Sequence, residues 1–574
     1  MLKSGIVLAA IAAIVASSPA AAGASTLMPG VTYTREVRWV GGDRVVLHIL
    51  RAPRHGGLYG VRPVLSQGTV LGRATVPSMQ HALSGRATVA GVNGDYFTLA
   101  SGRPNGVFLR DGVLAARSFP QRSSLSVGFD GRLIVDRLRF FGSWRVGAFV
   151  AHPLEELNRP LVDPPGVALY TPRWGGRTPR YATAREVVLS GFPRALLNGY
   201  LTGTVAAVRR GGGTAIPVGG AVLQARGFWR NVLQREAPLG SEVIVRLRLP
   251  ALSLDSADAI GGGPVLVRDG QAIYRSGEAF TRSQLAGNHP RTAVGQLADG
   301  RTILLVADGR SSASAGLTTW ELALQMQRLG AVTAMGLDGG GSSTMAFNGR
   351  VLNRPSDGSA RAVANGLFVF YYGVYAPPAR RSVISPNGDG AADSQVLGAK
   401  LVRPSSVDVR LVRPNGTVAW RYRTSASSGW IRHPVGTSGM REGEWRWIAE
   451  AAETASGRTS RMTRRFTVNK TLGFLSLSKE RMRVYPRRGG MLDVSVVLTR
   501  PAHVSVTVRN AAGVLKRTLF QGEAGAGTLA WRWNGRNASG AVVRTGTYTI
   551  RVKATNALGA VALSKRVRVI RVTA

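Results

Sequence analysis

The stretch RTILLVADGRSSASAGLTTWELALQMQRLGAVTAMGLDGGGSSTMAFNGR, Arg301–Arg350, constrains the fold more tightly than any other part of the chain. Two apolar runs, Ile303–Ala307 and Ala331–Leu337, each end in an aspartate followed by glycine, at Asp308-Gly309 and Asp338-Gly339. The residues between them spell a helix with readable ends. Thr318 is a good N-cap, and Glu321 three residues later completes a capping box, with Leu317 and Leu322 placed as its hydrophobic staple. Leu322, Ala323, Met326 and Leu329 keep helical spacing on one apolar stripe, and Gly330 supplies a left-handed stop. A strand–helix–strand unit of this kind is expected to cross over between parallel strands with right-handed sense. Both aspartates then fall at the C-terminal edge of the sheet, where ligands of α/β sheets bind.

An Asp-Gly after a strand is often only a turn. The run Asp338-Gly339-Gly340-Gly341-Ser342-Ser343 asks for more, because three glycines permit close backbone approach and leave N–H groups free to face a ligand. Glu321 is accounted for by capping and needs no chemistry.

The N-terminal MLKSGIVLAAIAAIVASSPAAAGAS has one lysine, a short apolar stretch and a small-residue cleavage pattern, so residues 1–24 read as a signal peptide and the protein as secreted or associated with a cell wall. No later run is long and apolar enough to read as a membrane span. The chain has no cysteine, which removes disulfides, thiolate metal sites and thiol nucleophiles. Its seven histidines show no metal-binding spacing, and no G-x-S-x-G elbow marks a serine hydrolase. Net charge is +43, almost all of it arginine, which predicts attraction to polyanions. No zinc-finger spacing, RNA-binding signature or long basic helix points to nucleic acid. An anionic glycan, phosphoglycan or cell-wall polymer is the expected partner.

At 574 residues several domains are expected. Val45–Leu50, Ala87–Val92, Leu125–Phe129, Val205–Val208, Val243–Leu247 and Thr292–Gln296 read as strands. Residues 25–375 are therefore expected to form an α+β catalytic domain around a large mixed β-sheet. A Pro- and Arg-rich linker at Tyr375–Arg381 leads into two all-β Ig-like sandwiches, 376–470 and 471–574. Their strands alternate (Val407, Val409, Leu411; Val504, Val506, Val508), and Gly443-Glu444-Trp445 and Gly546-Thr547-Tyr548 open equivalent late strands. The loop Ser385–Asp393 offers the oxygens of Asn387, Asp389 and Asp393. It lacks the spacing of an EF-hand, and an Asx/Gly turn explains it as well as calcium does. No cofactor is required by the sequence, and calcium is the one cation it leaves open.

Motifs in a fixed order then combine. They are Gly91-Val92-Asn93-Gly94-Asp95-Tyr96-Phe97, Ile260–Pro264, Arg291–Gly295, Ala307–Arg310, Leu337–Ser343, Asn348-Gly349, Pro355-Ser356-Asp357 and Arg361-Ala362-Val363. From Ala87 to Tyr375 this order resembles the phosphodiester glycosidase family, known for releasing N-acetylglucosamine from a phosphodiester. The sequence departs from the family's N-G-G-[FY]-F at Asp95. In the last module, Trp533-Asn534-Gly535 through Gly540, followed by Gly546-Thr547-Tyr548, resembles the Ig-like domain of flagellar hook-capping proteins.

The resemblance implies a hydrolase of sugar-1-phosphodiesters. Arg291, Arg310 and Arg361 suit a phosphate through the guanidinium fork. Asp338 and Asp308 form the expected carboxylate pair for acid–base work. Asn93 joins them as a catalytic candidate, and Asp95, Gly339, Gly340, Gly341, Ser342 and Ser343 are expected to line the substrate. The alternatives from other classes are a non-catalytic polysaccharide-binding protein and an exopolysaccharide assembly factor.

Overall fold

The computed structural model describes residues 24–252, 256–274, 276–436 and 439–572. The expected signal peptide lies outside the described residues except for Ala24. The chain divides into two compact units at Phe370/Tyr371, a few residues before the expected boundary and inside the strand Asn365–Tyr371.

The first unit is built on an eight-stranded sheet in which every neighbouring pair is antiparallel. Its centre is the strand Arg291–Leu297, flanked by Thr302–Ala307 on one side and Ala331–Leu337 on the other. The two strands joined by the helix are thus parallel to one another, as expected, but they are not neighbours. The antiparallel strand Arg291–Leu297 has been inserted between them. All three strands are buried along nearly their whole length, because one face is covered by the helix Thr319–Arg328 and the other by the rest of the unit. Leu322, Ala323 and Met326 of the helix pack on Leu47, Ile49, Ala293, Ile303 and Leu305 of the sheet in a single apolar cluster.

The ends of the helix form as the sequence dictates. Thr318 Oγ1 accepts the Glu321 amide at 3.1 Å, and Glu321 Oε2 accepts the Thr318 amide at 2.8 Å. Gly330 adopts φ +88°, the left-handed conformation that ends helices at little cost only for glycine.

Around this sheet stand a five-stranded sheet that includes Thr88–Asn93, Met345–Phe347 and Asn365–Tyr371, another that includes Ser124–Gly128 and Ser256–Gly261, and a second eight-stranded sheet formed by segments between Phe141 and Arg248. That last sheet has its own core around Trp144, Leu169, Leu223 and Val245. Its one parallel pair joins Glu156–Leu157 to Gly166–Tyr170.

The second unit holds two β-sandwiches. In the first, a five-stranded sheet faces the two-stranded sheet of Gln395–Leu401 and Gly429–Val435. In the second, three strands face five over a core spanning Leu472 to Val569. The W-N-G…G-T-Y signature is a packing device. Trp533 is fully buried, its ring centroid 5.5 Å from that of Tyr548. Gly535 has φ +76°, and a Cβ there would meet Val484 at 2.6 Å. In the loop that opens the first sandwich, each carboxylate oxygen of Asp389 and Asp393 accepts a backbone amide, from Ala391 and Phe474 and from Asn387, Gly388 and Gly390. Asn387 Oδ1 accepts the Asp389 amide. Among the described residues no group of three acidic or histidine side chains is arranged to hold a metal ion. The structure builds Asn387, Asp389 and Asp393 into an Asx-type turn closed by backbone amides.

The capping box gives a direct test. Thr318→Ala is expected to destabilise the first unit by about 1 kcal/mol, read as a lower denaturant midpoint at unchanged m-value.

Candidate active site

The register of the central strands assembles the site. Arg291 lies opposite Ala307, and Thr292 opposite Leu337, so Arg291, Asp308 and Asp338 emerge at one edge of the sheet. The strand Thr88–Asn93 reaches the same edge from another sheet. The Asp338 amide donates to Gly94 O at 2.9 Å, and Asn93 ties the pieces together. Its Nδ2 donates to Asp338 O at 2.7 Å, while its Oδ1 accepts Thr292 Oγ1 at 2.9 Å and the Thr344 amide at 3.0 Å. Asn93 is fully buried. With its amide committed to three protein groups it is a brace, which corrects the expectation that it acts on substrate.

Asp308 is corrected in the same way. Its Oδ2 lies 3.0 Å from His48 Nε2, and its Oδ1 accepts the Arg354 amide at 3.0 Å and Asn353 Nδ2 at 3.2 Å. His48 in turn meets Tyr33 Oη through Nδ1 at 2.8 Å. Asp308 and His48 are both buried. Oδ1 of Asp308 anchors the chain that runs from Asn353 toward Arg361, and Oδ2 is taken up by His48. The paired-carboxylate reading of Asp308 and Asp338 is not what the fold assembles.

The acid that shares an environment with Asp338 is Asp95. Asp95 is buried, and burial raises its carboxyl pKa to about 7 against the opposing Gly106 amide and Arg122. Gly106 donates to Asp95 Oδ2 at 2.6 Å. Asp338 is raised to about 6, again chiefly by burial. The Ser342 hydroxyl, Arg361 and the Gly339 amide counter that rise, the hydroxyl without the alignment of a full hydrogen bond. Asp338 also raises Asp95, and Arg122 lowers both.

The three glycines have a steric reason. A Cβ on Gly339 would meet Pro290 O at 3.0 Å and Arg291 Cδ at 3.9 Å. One on Gly340 would crowd the Arg310 guanidinium at 3.3 Å, and one on Gly341 would collide with Arg361 and Asp357. Gly340 and Gly341 thus make room for Arg310 and Arg361, and Gly339 for the Pro290 carbonyl. The Gly340 amide donates to Pro290 O at 2.8 Å, so it does not face a ligand as the glycine-rich run had suggested. The Ser342 and Ser343 hydroxyls are both buried.

The arginines differ in their pairing. Arg291 is 8% exposed. It donates to the Leu317 and Gly287 carbonyls, both at 2.8 Å, and has no carboxylate partner among the described residues. Burial lowers its pKa to about 10, with Tyr96 opposing and Arg310 adding to the fall. Arg310 sits at φ +58° with Nη2 3.3 Å from His289 Nδ1. Burial and the two arginines depress the His289 pKa. That suits a neutral ring with Nδ1 as acceptor and Nε2–H donating to Ser283 O at 3.2 Å. Arg361 is held by Asp357 at 2.7 Å.

Two groups escaped the sequence reading. Arg122 lies over the rings of Phe280 at 4.2 Å and Tyr96 at 4.8 Å and acts electrostatically on Asp95, Asp338 and Tyr96. Nothing in its local sequence, PQRSS, separates it from the many other arginines. Tyr96 was visible inside a motif, but its packing on Phe280, 5.4 Å between centroids, was not.

Residues 197–370 match the family model for phosphodiester glycosidase, and residues 486–557 match that for the FlgD Ig-like domain. The chain carries a phosphodiester glycosidase domain. The matched segment includes Arg291, Arg310, Asp338 and Arg361, whereas Asn93, Asp95 and Arg122 come from outside it. Among curated relatives, the SPbeta prophage-derived uncharacterized protein YomE of Bacillus subtilis is 36% identical over 120 residues, 21% of this chain and 18% of that protein. The mouse N-acetylglucosamine-1-phosphodiester alpha-N-acetylglucosaminidase is 45% identical over 67 residues, 12% of this chain and 13% of that protein. The chain thus spans less than a fifth of the length of these relatives. A hypothetical protein from Synechocystis shares the fold, with TM-score 0.53 at 22% identity over 62% of this chain and 64% of that one.

Two measurements follow from the site. Asp308→Ala leaves His48 and the Arg354 amide unpaired in the interior and is expected to cost about 2–4 kcal/mol, whereas Asp338→Asn leaves thermal stability nearly unchanged or raises it. The second concerns pH. Both Asp95 and Asp338 have folded pKa values above the ordinary 3.8, so at intermediate pH the native state holds protons the unfolded chain has released. Stability is therefore expected to fall as pH rises from about 4 to about 7, and Asp95→Asn should flatten that slope in denaturation measured across this range.

Proposed function

We propose that the first unit hydrolyses the glycosidic bond of sugar-1-phosphodiesters in an anionic extracellular or cell-wall glycan. The observation that carries this reading is that Asp338 and the buried Arg291 emerge at one edge of the same sheet. A guanidinium buried without a carboxylate is costly, and a phosphodiester oxygen is the ligand that would neutralise it in fork geometry. At the same edge stands Asp338, a carboxyl whose pKa of about 6 suits a general base near neutrality.

In this reading Arg291, Arg310 and Arg361 hold the phosphate, with Arg122 adding positive charge from its place on Tyr96 and Phe280. Asp338 faces the anomeric carbon. It stabilises the positive charge that develops there and takes the proton of the attacking water. The bond from the anomeric carbon to the phosphate oxygen breaks, and its electron pair leaves with the phosphate. A phosphomonoester is a weak base, so arginines stabilise the departing charge and a strong general acid is not needed. Asp95, at about 7, retains its proton for much of the time at neutral pH, which lessens repulsion with Asp338. Asn93 and Asp308 position the edge on which these groups stand. The matched family domain and the mouse relative's printed activity support the reaction class, and the signal-peptide pattern and the charge of +43 support secretion and an anionic polymer as substrate.

The purified protein is expected to release sugar from UDP-N-acetylglucosamine or from an α-N-acetylglucosamine-1-phosphate ester. Asp338→Asn should lower kcat by about 10²–10⁴-fold with the fold intact, and Arg291→Ala should raise KM as well. Wild-type protein inactive on a panel of sugar-1-phosphodiesters, or Asp338→Asn as active as wild type, would reject the reading.

A further inference from the structure

The first β-sandwich has a groove of about 700 Å³ whose lining includes Trp420, His433, Arg413, Asn415, Thr417 and Arg441, a volume in the range of small-molecule sites. Its wall is aromatic and flat. Trp420 lies 3.9 Å from His433 with planes 22° apart, and 5.7 Å from Trp447 with planes 17° apart. Tyr422 lies beside Trp420 but outside the lining, 6.1 Å away and only 11° out of parallel. Trp447 is fully buried and its Nε1 donates to Gly398 O at 2.9 Å, so the wall is fixed to the core.

The topology explains why these rings are left open. Trp420 pairs with Leu411 and Tyr422 with Val409, and both of those partners are buried. Trp420 and Tyr422 therefore sit on the core-facing side of the strand Val418–Ala426. That strand is at the edge of its five-stranded sheet, and the facing sheet has only two strands. The result is an inward face that is incompletely covered, with Tyr422 44% exposed.

The rim is basic. Arg413 and Arg441 line the groove and no acidic side chain does. Arg441 makes no side-chain hydrogen bond or ion pair among the described residues. Asn415 Oδ1 is taken up by Thr417, which leaves the Asn415 amide NH₂ as a donor. The larger groove on the same sandwich, about 920 Å³, differs in kind. Its Asp408, Arg423, Glu450 and Arg461 are satisfied by ion pairs with one another or with Arg410 and Arg421, so it presents no unpaired charge to a ligand.

We propose that the groove beside Trp420 is a binding site for an anionic glycan, independent of the hydrolytic site. The apolar C–H face of a hexose packs on aromatic surfaces, offered here by the stacked Trp420–His433 pair. Arg413 and Arg441 meet carboxylate or phosphate substituents at the rim. A neutral glycan lacks the groups that would use the arginines, and an apolar peptide would leave them desolvated without a partner.

The test is calorimetric titration of the full-length protein with three probes: an oligogalacturonate, an oligosaccharide joined by phosphodiesters, and a neutral cello-oligosaccharide. Binding to at least one anionic probe is expected, weakened roughly tenfold or more in Trp420→Ala and in the rim variant Arg441→Gln and falling as salt is raised. The two anionic probes distinguish carboxylate from phosphate. Arg441→Gln is solvent-facing and keeps the test valid if Trp420→Ala unfolds, while Trp430→Ala, outside the groove, should bind as wild type does. Absence of binding to both anionic probes, equal binding by Arg441→Gln, or preference for the neutral probe overturns the proposal. So does self-association that depends on Trp420 with no glycan binding, since the face would then be an interface between copies of the chain. Because binding is measured without turnover, failure here leaves the hydrolysis reading standing, and the reverse.

Discussion

The first unit depends on the placement of one strand. Arg291–Leu297 runs antiparallel between Thr302–Ala307 and Ala331–Leu337, and its first residue is a buried arginine. A guanidinium in that position must be satisfied by the backbone around it, here Leu317 and Gly287. Those carbonyls belong to the segments just before the capped helix and just before the strand itself. The electrostatics of the edge and the geometry of its loops are therefore one problem. The glycines after Asp338 are a further consequence, since Gly340 and Gly341 leave space for the Arg310 and Arg361 side chains.

Asp308 and Asp338 look alike in sequence, each closing an apolar strand and each followed by glycine. The tertiary structure gives them different work. Asp308 faces His48 and the Asn353–Arg354 backbone, where hydrogen bonds take up both carboxylate oxygens. Asp338 is flanked by glycines and arginines, with a pKa raised by burial. A carboxyl held at about 6 beside cations can exchange a proton near neutrality. The same contrast separates Asn93, whose amide is bound to three elements, from the substrate-facing role its motif suggests.

Glu321 and the turn at Asn387, Asp389 and Asp393 show where local chemistry was enough. A capping box is closed by residues a few positions apart, and so are the bonds of the Asx turn other than the Phe474 amide on Asp389, so these can be read along the chain. The aromatic wall of the first sandwich shows the opposite case. Trp420 and Tyr422 alternate as core residues should, and only the width of the facing sheet leaves them uncovered.

The sequence by itself determined the local units: the capped helix, the buried strands, the acid-and-glycine turns, the alternating strands of two sandwiches and the tryptophan–tyrosine packing of the second. These follow from periodicity and short-range hydrogen bonding, which act within about ten residues. The tertiary structure decided which strand lies between the two that end in aspartate, which aspartate keeps a free carboxylate, and that Asp95, Arg122 and Tyr96 join Asp338. Those outcomes rest in large part on contacts between residues remote in the chain, such as Asp308 with His48 and Asn93 with Thr292 and Thr344. Burial and charge there depend on every element that packs at the edge, and no local pattern encodes that sum.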